Sequence, residues 1–505
     1  MIVAFIVSLF AVAGFGFGIW ALNIISLSKG LGEEAMQGIS AMLDSELSDE
    51  VKEVRVRRAG ITLLKGAWRL FWRFGAALAV AALPIMVGDV VGLTTADAVI
   101  SLMLRLDYIV GVSLAAILVA RFSLRRKDQS EDDANAPGPY GSADRFAHML
   151  AFSGPKFHKV SAKVDDCAFR RRVPETETRP PIFVTSLARG GTTSVLNALS
   201  HVEGMATHRY RDMPFIAAPY LWNGLGGALR RDVAQVERAH GDGLTIGLDS
   251  PEAFDEIFWH LFWPEKYRDD RIGLWHATDL HSEAQSFFDT HFRKICHLRT
   301  SRSGDGTTAP PRYLSKNNAN IARLRLLHHL FPGSAVVVPI RHPGAHAWSM
   351  LRQHRNFLVR QAEDPFVLRY MRDIGHFEFG LLHRPLDFPE LAVEGYGLED
   401  PNYWLAYWIA AFRDVAAQGD RCHFVVQDDL RARPNEVLSD LGERLDIDVA
   451  DMDFREFFRA EPDARRQDGF SDTLLQQAED IFRDLAAQAV TGRPRPARSP
   501  VQRAN

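Results

Sequence analysis

The sequence predicts an α/β fold, with a P-loop-like parallel sheet flanked by helices and preceded by an α-helical transmembrane segment of about three spans. Two observations predict the sheet. A β-branched apolar segment at 182–185 leads through a glycine turn into a helix, and a fully apolar run at 335–340 also precedes a helix, as in buried parallel strands. The third observation predicts the transmembrane segment. Residues 1–28 carry no charged side chain, and roughly 20 apolar residues suffice to cross a bilayer.

The composition limits the possible functions. With 59 Lys and Arg against 63 Asp and Glu, the 505-residue chain has a net charge of −4, so no overall positive field attracts nucleic acid. The length exceeds that of one typical domain. Cys167, Cys296 and Cys422 lie far apart, which excludes a disulfide framework or a metal-ligand spacing and favours a reducing compartment. We therefore expect neither a metal nor a nucleic-acid partner.

Changes in composition divide the chain into four parts. Residues 1–124 form a predicted membrane region. Residues 125–142 are polar and rich in Pro and Gly, so they form a linker that cannot bury enough surface to fold alone. Residues 143–492 form the α/β domain, and residues 493–505 form a disordered tail.

Three spans are predicted in the membrane region, at about 2–24, 74–91 and 98–120. No Lys or Arg precedes the first, so an uncleaved anchor fits better than a signal peptide. Residues 33–73 are expected to form an amphipathic helix or pair. Cationic residues lie between the first two spans and after the third, but not in the connection 92–97, which predicts an outer N-terminus and a cytoplasmic C-terminal part. The alternative for the last two spans is a buried helical hairpin of a soluble domain.

The glycine turn at 186–191 ends at a helix that opens with two threonines. A strand, a glycine turn and a helix N-terminus form a cradle for anions, because backbone N–H groups point at the ligand and the helix dipole adds partial positive charge. Arg189 adds a planar guanidinium group that suits phosphate or sulfate. The residues predicted to bind nucleotide phosphates here are Arg189, Gly190, Gly191, Thr192 and Thr193.

This cradle differs from the ATP-type loop G-x-x-x-x-G-K-[ST]. Ser186 stands at the first glycine position and Thr192 at the lysine position, while the cation has moved to Arg189, ahead of the second glycine. These differences disfavour a P-loop kinase. On this loop alone, an ordinary βα turn with an incidental arginine is the alternative.

A second strand-to-helix element is predicted within residues 312–351. A helical stripe ends at Phe331-Pro332-Gly333, and the apolar run 335–340 follows, which indicates a buried parallel strand. Arg341 stands directly after this strand, and Ser349 lies on the next helix.

Together, the two elements resemble the sulfotransferases that use 3′-phosphoadenosine 5′-phosphosulfate (PAPS), of the bacterial type. The segment R-G-G-T-T at 189–193 resembles their phosphosulfate loop, and Arg341 with Ser349 resembles the pair that holds the 3′-phosphate. The run from Lys316 to Ser349 is similar in order and approximate spacing to the tyrosylprotein sulfotransferases. The resemblance is firm over about residues 180–350 and identifies the α/β domain as a sulfotransferase domain.

The resemblance implies transfer of a sulfonate group from PAPS to a hydroxyl or amine group of an acceptor. It assigns Arg189 to the charge on the leaving phosphate and Lys316 to the sulfonate, and it assigns Arg341 and Ser349 to the 3′-phosphate. Cationic side chains neutralise the charge in this family, so it implies no metal. The acceptor is not identified, and only the membrane location leads us to expect a small-molecule, lipid or glycan acceptor.

The general base is the least determined residue. The tyrosylprotein sulfotransferases have a glutamate after the first helix, whereas this chain has His208, Arg209 and Tyr210 there. A base must reach the acceptor with a suitable pKa, and we expect Asp212 to be that base, with His208 as the second candidate. In the alternative, Asp212 only pairs with Arg209 or Arg211. The expected catalytic residues are Arg189, Lys316, Asp212 and His208.

Residues 214–310 form a predicted substrate-binding insertion. They contain many aromatic side chains between acidic positions, and aromatic faces hold sugar rings or lipid chains well. Aromatic residues also fill cores, and we expect that role for most of them. They include Trp222, Phe258, Trp259, Phe262, Trp263 and Trp275.

Three functions from different classes follow. The first is a multi-pass, membrane-anchored sulfotransferase with a cytoplasmic catalytic domain, which agrees with the synthesis of PAPS in the cytosol. The second is a catalytically inactive, nucleotide-binding membrane scaffold of the same fold, since the glutamate near Tyr210 is missing. The third is a P-loop kinase.

Overall fold

The computed structural model of the chain divides into two compact units, residues 1–135 and 136–505. The predicted linker 125–142 and the predicted tail 493–505 lie outside the described residues. The structure describes residues 2–24, 26–28, 30–31, 49–105, 108, 112, 148–149, 151–152, 154–172, 177–226, 236–237, 245–246, 250–252, 254–300, 310–393, 395–418, 421–458 and 468–491.

The first unit contains two long apolar helices. Over Val3–Ala21 and Ala59–Val90 they are long and apolar enough to cross a membrane. Length and composition are the criteria they meet, and a core helix or a signal sequence meets the same criteria. The helices described in this unit are α1 (Ile2–Ala21), α2 (Asp49–Val90) and α3 (Ala96–Met103).

Helix α2 differs from the predicted boundaries. A separate amphipathic helix and a span at 74–91 were expected, but α2 is one continuous helix of 42 residues. No proline lies between residues 49 and 83 to end it earlier, and Pro84 lies inside it. The predicted third span, 98–120, is described only in part, and its start belongs to the eight-residue helix α3. The described residues therefore support two candidate spans rather than three.

Small residues bring α1 and α2 close together. A Cβ atom on Gly18 would lie 2.9 Å from Ala77 Cα, so the glycine permits this approach of the two backbones. About one turn further along, Arg73 Nη1 donates a hydrogen bond to the carbonyl oxygen of Leu22 over 2.9 Å.

The apolar side chains of α2 are largely exposed. Of residues 74–90, only Ala77 and Gly88 are buried, while Trp68 is 62% and Val90 is 85% exposed. Apolar surface of this extent is typical of a region that contacts a membrane or another protein. This part of α2 is therefore not half of the buried hairpin that was the alternative for the last two spans.

A parallel sheet forms the centre of the second unit, as the sequence predicts. Among the described residues its five strands have the order β2-β5-β1-β6-β7, and every pairing is parallel. Two further short strands form a separate antiparallel pair. The strands are β1 (Arg179–Val184), β2 (Met205–Ala206), β3 (Val236–Glu237), β4 (Thr245–Ile246), β5 (Arg312–Lys316), β6 (Ala335–Ile340) and β7 (Cys422–Val426).

Helices cover both faces of this sheet. Successive strand side chains point to opposite faces, so Phe183 belongs to one buried cluster while Ile182 and Val184 belong to another. The helices are α4 (Pro155–Arg172), α5 (Thr192–Ser200), α6 (Pro219–Gly226), α7 (Glu256–Phe262), α8 (Ser282–Thr300), α9 (Leu324–Leu330), α10 (Pro343–Glu363), α11 (Pro365–Asp373), α12 (Pro401–Ala416), α13 (Gln427–Ala432), α14 (Pro434–Leu445) and α15 (Asp472–Gln488).

The aromatic residues of 214–310 mostly fill the core. Trp259 and Trp275 are almost fully buried, and the guanidinium carbon of Arg323 lies 4.6 and 4.0 Å from their ring centroids. Glu256 accepts two hydrogen bonds of 2.7 Å from Arg323, which compensates for the burial of both charges. These rings therefore have the packing role that the sequence analysis expects for most of them.

Candidate functional site

The predicted phosphate-binding residues lie at the carboxyl ends of the parallel strands, where ligands bind in open α/β sheets. A cleft with about 1700 Å³ of empty space, including solvent at its mouth, opens at this edge. The structure thus brings together residues that are up to 160 positions apart in the sequence. The predicted residues that line the cleft are Arg189, Gly191, Thr192, Thr193, Lys316, Arg341 and Ser349.

Two glycines shape the loop between β1 and α5. A Cβ atom on Gly190 would collide with the hydroxyl oxygen of Ser186. Gly191 precedes the first residue of α5 with a φ of +98°, which glycine adopts without steric cost. A Cβ atom there would also lie 2.9 Å from Gln427 Nε2. These constraints place the N-terminus of α5 at the cleft, where its first backbone N–H groups have no acceptor within the helix.

Arg189 connects the two predicted nucleotide-binding elements. Its φ of +72° is uncommon for a residue with a side chain, and such a conformation persists when the surrounding structure holds it. Arg341 Nη1 donates to the carbonyl oxygen of Arg189 over 3.1 Å. In the other direction, Arg189 Nε donates to Ser349 Oγ over 3.4 Å. The loop after β1 and the Arg–Ser pair after β6 are therefore in direct contact.

Lys316 ends β5 and is paired with Val184 at the end of β1. Its side chain is 5% exposed, and its Nζ lies 3.5 Å from Glu252 Oε1. Glu252 Oε2 accepts a hydrogen bond of 2.7 Å from the hydroxyl group of Tyr210. This carboxylate offsets the buried positive charge and orients the ammonium group at the floor of the cleft.

Asn318 links the predicted phosphate-binding loop at 186–193, called the phosphate cradle below, to the opposite wall of the cleft. Thr192 Oγ1 donates to Asn318 Oδ1 over 3.0 Å, and Asn318 Nδ2 donates to Glu378 Oε1 over 3.2 Å. The sequence analysis missed both Asn318 and Glu378. The position of Asn318 just after a strand was a usable signal, but Glu378 lies in an irregular segment between two helices and had none.

The cleft carries a positive charge. Its described lining contains five Lys or Arg side chains and two glutamates. A concave surface with this balance attracts a ligand that has several negative charges. The charged lining residues not named so far are Arg352, Arg431 and Glu456.

Asp212 and His208 lie outside the described lining of the cleft. They are 2% and 1% exposed. Arg299 Nη2 donates to Asp212 Oδ1 over 2.7 Å, and His208 Nδ1 lies 3.1 Å from Asp212 Oδ2. Burial raises the pKa of Asp212, but the hydrogen bond with His208 and the charge of Arg299 outweigh it and hold the pKa below its usual value.

This arrangement argues against the expected general base. A carboxylate with a lowered pKa and a strong cationic partner accepts a proton poorly, and neither Asp212 nor His208 contacts the cleft. His208 is also enclosed, since its Nε2 lies 3.0 Å from His291 Nε2. The Asp212 carboxylate pairs with Arg299, which lies 87 positions away, and it also accepts a hydrogen bond of 2.8 Å from the backbone N–H group of Arg209.

A narrower cavity, with about 640 Å³ of empty space including open solvent, adjoins the cleft. Lys316 and Asn318 from the end of β5 and Glu378 from the opposite wall line both spaces. The site therefore has two connected parts, one charged and one narrow.

Among the residues that the structure describes, no group of three or more His, Cys, Asp or Glu side chains is placed to hold a metal ion.

Several solved structures that resemble this chain are sulfotransferases. Sulfotransferase STF9 from Mycobacterium avium is 16% identical, with a TM-score of 0.40, over 71% of this chain and 89% of that chain. Sulfotransferase STF1 from Mycobacterium tuberculosis H37Rv is 13% identical, with a TM-score of 0.35, over 69% and 94%. The sulfotransferase domain of the Synechococcus PCC 7002 olefin synthase is 13% identical, with a TM-score of 0.27, over 62% and 97%. A comparison with curated protein sequences finds no significant match.

The family comparison covers the functional site. The model of the Sulfotransferase family matches residues 180–451, which is more than half of the 505 residues. The matched segment begins in β1 and includes the loop at Arg189, Lys316 and the Arg341–Ser349 pair. On this match, the chain belongs to the Sulfotransferase family.

Proposed function

We propose that this protein is a membrane-anchored sulfotransferase that moves the sulfonate group of PAPS to a hydroxyl or amine group of an acceptor. The observation that carries the proposal is the contact between the two nucleotide-binding elements. Arg341 Nη1 lies 3.1 Å from the carbonyl oxygen of Arg189, and Arg189 Nε lies 3.4 Å from Ser349 Oγ. We therefore expect one adenosine nucleotide, with phosphates at both its 3′ and 5′ positions, to contact both elements at the same time.

The two ends of this nucleotide have different binding groups. The N-terminus of α5, with the hydroxyl groups of Thr192 and Thr193, suits the 5′-phosphosulfate because it combines N–H donors with the positive end of the helix dipole. Arg341 and Ser349 suit the 3′-phosphate, which ATP lacks. Selection of PAPS over ATP is thus expected to come from the second element.

The chemistry that we propose depends on placement and electrostatics rather than on a covalent intermediate. The acceptor oxygen or nitrogen attacks the sulfur atom, and the bond between sulfur and the 5′-phosphate oxygen breaks. Its electron pair leaves with adenosine 3′,5′-bisphosphate (PAP). Arg189 and the N–H groups at α5 stabilise the charge on that phosphate, while Lys316 neutralises charge on the sulfonate.

The location is part of the same proposal. The apolar helices at Val3–Ala21 and Ala59–Val90 support a membrane anchor. Lys and Arg residues between the first two predicted spans favour a cytoplasmic catalytic domain by the positive-inside rule. A cytoplasmic site also has direct access to PAPS, which is made in the cytosol.

Calorimetry on the full chain in phosphatidylcholine nanodiscs tests the nucleotide assignment. We expect PAP to bind at least about tenfold more tightly than ATP, since one charged hydrogen bond to the 3′-phosphate contributes that much. Equal affinities would contradict the assignment. Transfer of label from PAPS to a membrane or glycan extract then tests the activity, and PAP binding without any labelled product would indicate the inactive scaffold.

A further inference from the structure

The narrow cavity meets the cleft at a polar junction. The six residues that line both spaces include Lys316, Asn318, His376 and Glu378. Lys316 is the residue that we assign to the sulfonate, and Asn318 accepts a hydrogen bond from Thr192 of the phosphate cradle. The reacting end of an acceptor is therefore expected at this junction, with the rest of the acceptor in the narrow cavity.

Beyond the junction, the walls of the cavity are mainly apolar. Eight of the twelve remaining lining residues have aliphatic or aromatic side chains. Met350, Leu386 and Trp404 are almost fully buried, so the walls are held by the core. Such walls favour an apolar ligand body because they offer it contact area and no competing hydrogen bonds.

The polar side chains beyond the junction already have partners in the protein. Asn317 Nδ2 donates to Glu256 Oε2 over 2.7 Å, and the same carboxylate accepts from Arg323. The guanidinium carbon of Arg384 lies 4.7 Å from the ring centroid of Phe377. A sugar in this cavity would bury several hydroxyl groups against few available partners, which is unfavourable.

From this junction and these walls we infer that the acceptor is a slender, apolar molecule with one hydroxyl group, and that Glu378 takes the proton from that hydroxyl. This inference rests on the proposed function, which it makes more specific. The acceptor O–H bond breaks, its proton passes to the Glu378 carboxylate, and its oxygen forms the new bond to sulfur. The bond between sulfur and the 5′-phosphate oxygen breaks, and PAP leaves with that electron pair.

The surroundings of Glu378 suit a general base. Its side chain is half-buried at the junction, and it accepts a 3.2 Å hydrogen bond from Asn318 Nδ2, which fixes one carboxylate oxygen. The other oxygen is the group that we assign to the acceptor. Glu252 is the second carboxylate near Lys316, but it is 5% exposed and lines neither space among the described residues.

A panel of acceptors tests the substrate class with full-length protein in phosphatidylcholine nanodiscs. Labelled PAPS is supplied with 1-decanol, 4-butylphenol or glucose, and PAP binding is measured on the same samples. We expect kcat/KM for at least one of the two apolar alcohols to exceed that for glucose by at least about tenfold, and the two alcohols distinguish an alkyl from an aryl body. If PAP binds but glucose is preferred, or no alcohol is sulfated, the inference is wrong while the proposed nucleotide site stands. If PAP does not bind, both fail.

Variants of Glu378 test the assignment of the base. Glu378→Gln keeps an oxygen that accepts from Asn318 but loses the basic group, so kcat should fall by about 10²- to 10⁴-fold. PAP affinity should stay the same, which also shows that the variant is folded. The rise of kcat with pH on the acidic side should disappear in Glu378→Gln and persist in Glu378→Asp.

The matched control is Glu363→Gln, at an exposed position in the last turn of α10, which should behave as the wild type. Disappearance of the acidic pH limb in Glu252→Gln instead of Glu378→Gln would overturn the assignment.

A cavity-filling variant separates the acceptor part from the nucleotide part. Ala319 lines the narrow cavity but not the cleft, so Ala319→Phe should raise the KM for 1-decanol several-fold and leave PAP affinity unchanged. Ala362→Phe, at an exposed position of α10, is the control and should change neither. An unchanged KM in Ala319→Phe would show that the acceptor binds elsewhere.

Discussion

Replacement of Arg341 by alanine tests whether this residue recognises the 3′-phosphate. A hydrogen bond to a charged group contributes about 1.5–3 kcal/mol. Since about 1.4 kcal/mol corresponds to tenfold in affinity, Arg341→Ala should weaken PAP binding roughly 10- to 150-fold. This range applies if the lost group touches the ligand directly.

Arg341 also contacts the loop after β1, and the effect of losing this contact must be distinguished from the effect of losing the expected contact with the 3′-phosphate. Its Nη1 supports the carbonyl oxygen of Arg189 over 3.1 Å, so the alanine variant also loosens the loop after β1. Loosening the loop weakens binding of any nucleotide, whereas loss of a 3′-phosphate contact affects only ligands that have this phosphate. AMP lacks it, and the ratio of PAP to AMP affinities therefore isolates the direct contact.

Calorimetry with PAP and AMP on the wild type, Arg341→Ala and Arg341→Lys measures that ratio. The lysine variant keeps the charge but loses the fork of donors, so it should fall between the other two. Arg355→Ala, on the helix α10 that follows Arg341, is the control, because Arg355 is exposed and pairs with Glu399. If PAP and AMP lose affinity equally in Arg341→Ala, Arg341 only supports the loop, and its assignment to the 3′-phosphate is refuted.

Two further variants test the rest of the site. Lys316→Ala should lower kcat more than PAP affinity, because PAP lacks the sulfonate that Lys316 is expected to neutralise; single-turnover rates beside PAP titrations measure both, and an unchanged rate excludes the role. Asp212→Asn should lower the free energy of unfolding by about 3–5 kcal/mol at pH 7, because it leaves buried Arg299 without its carboxylate, but it should not change PAP affinity. Since the pKa of Asp212 is lowered in the folded protein, its stabilisation is present above the unfolded-state pKa and is lost as pH falls through the folded-state pKa. The difference from the wild type in guanidinium unfolding should therefore shrink in acid, and a constant difference would contradict this.

The strands, turns and helices that carry the proposed nucleotide site could be predicted because their signals are local. Helix α5 spans Thr192–Ser200 and β6 spans Ala335–Ile340, the bounds that the glycine turn and the apolar run predict. In each element the strand, the turn and the start of the helix are consecutive in sequence. Arg189 and Arg341 each follow a strand, so a parallel sheet places both at the edge formed by the carboxyl ends of its strands. Their proximity in space comes from the adjacency of β1 and β6 in the sheet, and this strand order was not among the predictions from the sequence.

The general base could not be predicted in the same way. The sequence favours Asp212 because it follows the first helix, but its cationic partner in the structure is Arg299, 87 positions away. Glu378 is 60 positions from its partner Asn318. In both cases the decisive contact joins elements that no periodicity or motif connects.

The wall that carries Glu378 shows why its position has no local signal. Residues 375–386 contain only one short 3₁₀ turn, and contacts with distant elements hold them. Gly380 N donates to His354 Nδ1 over 3.1 Å, and Leu386 N donates to the hydroxyl group of Tyr407 over 3.1 Å. A regular hydrophobic pattern predicts a helix or a strand, but this irregular segment is held by hydrogen bonds to α10 and α12 and by buried side chains such as Phe377 and Leu386. The proposed phosphate-binding loop rests on backbone geometry that one short motif encodes, whereas the wall that carries Glu378 depends on contacts with distant parts of the chain.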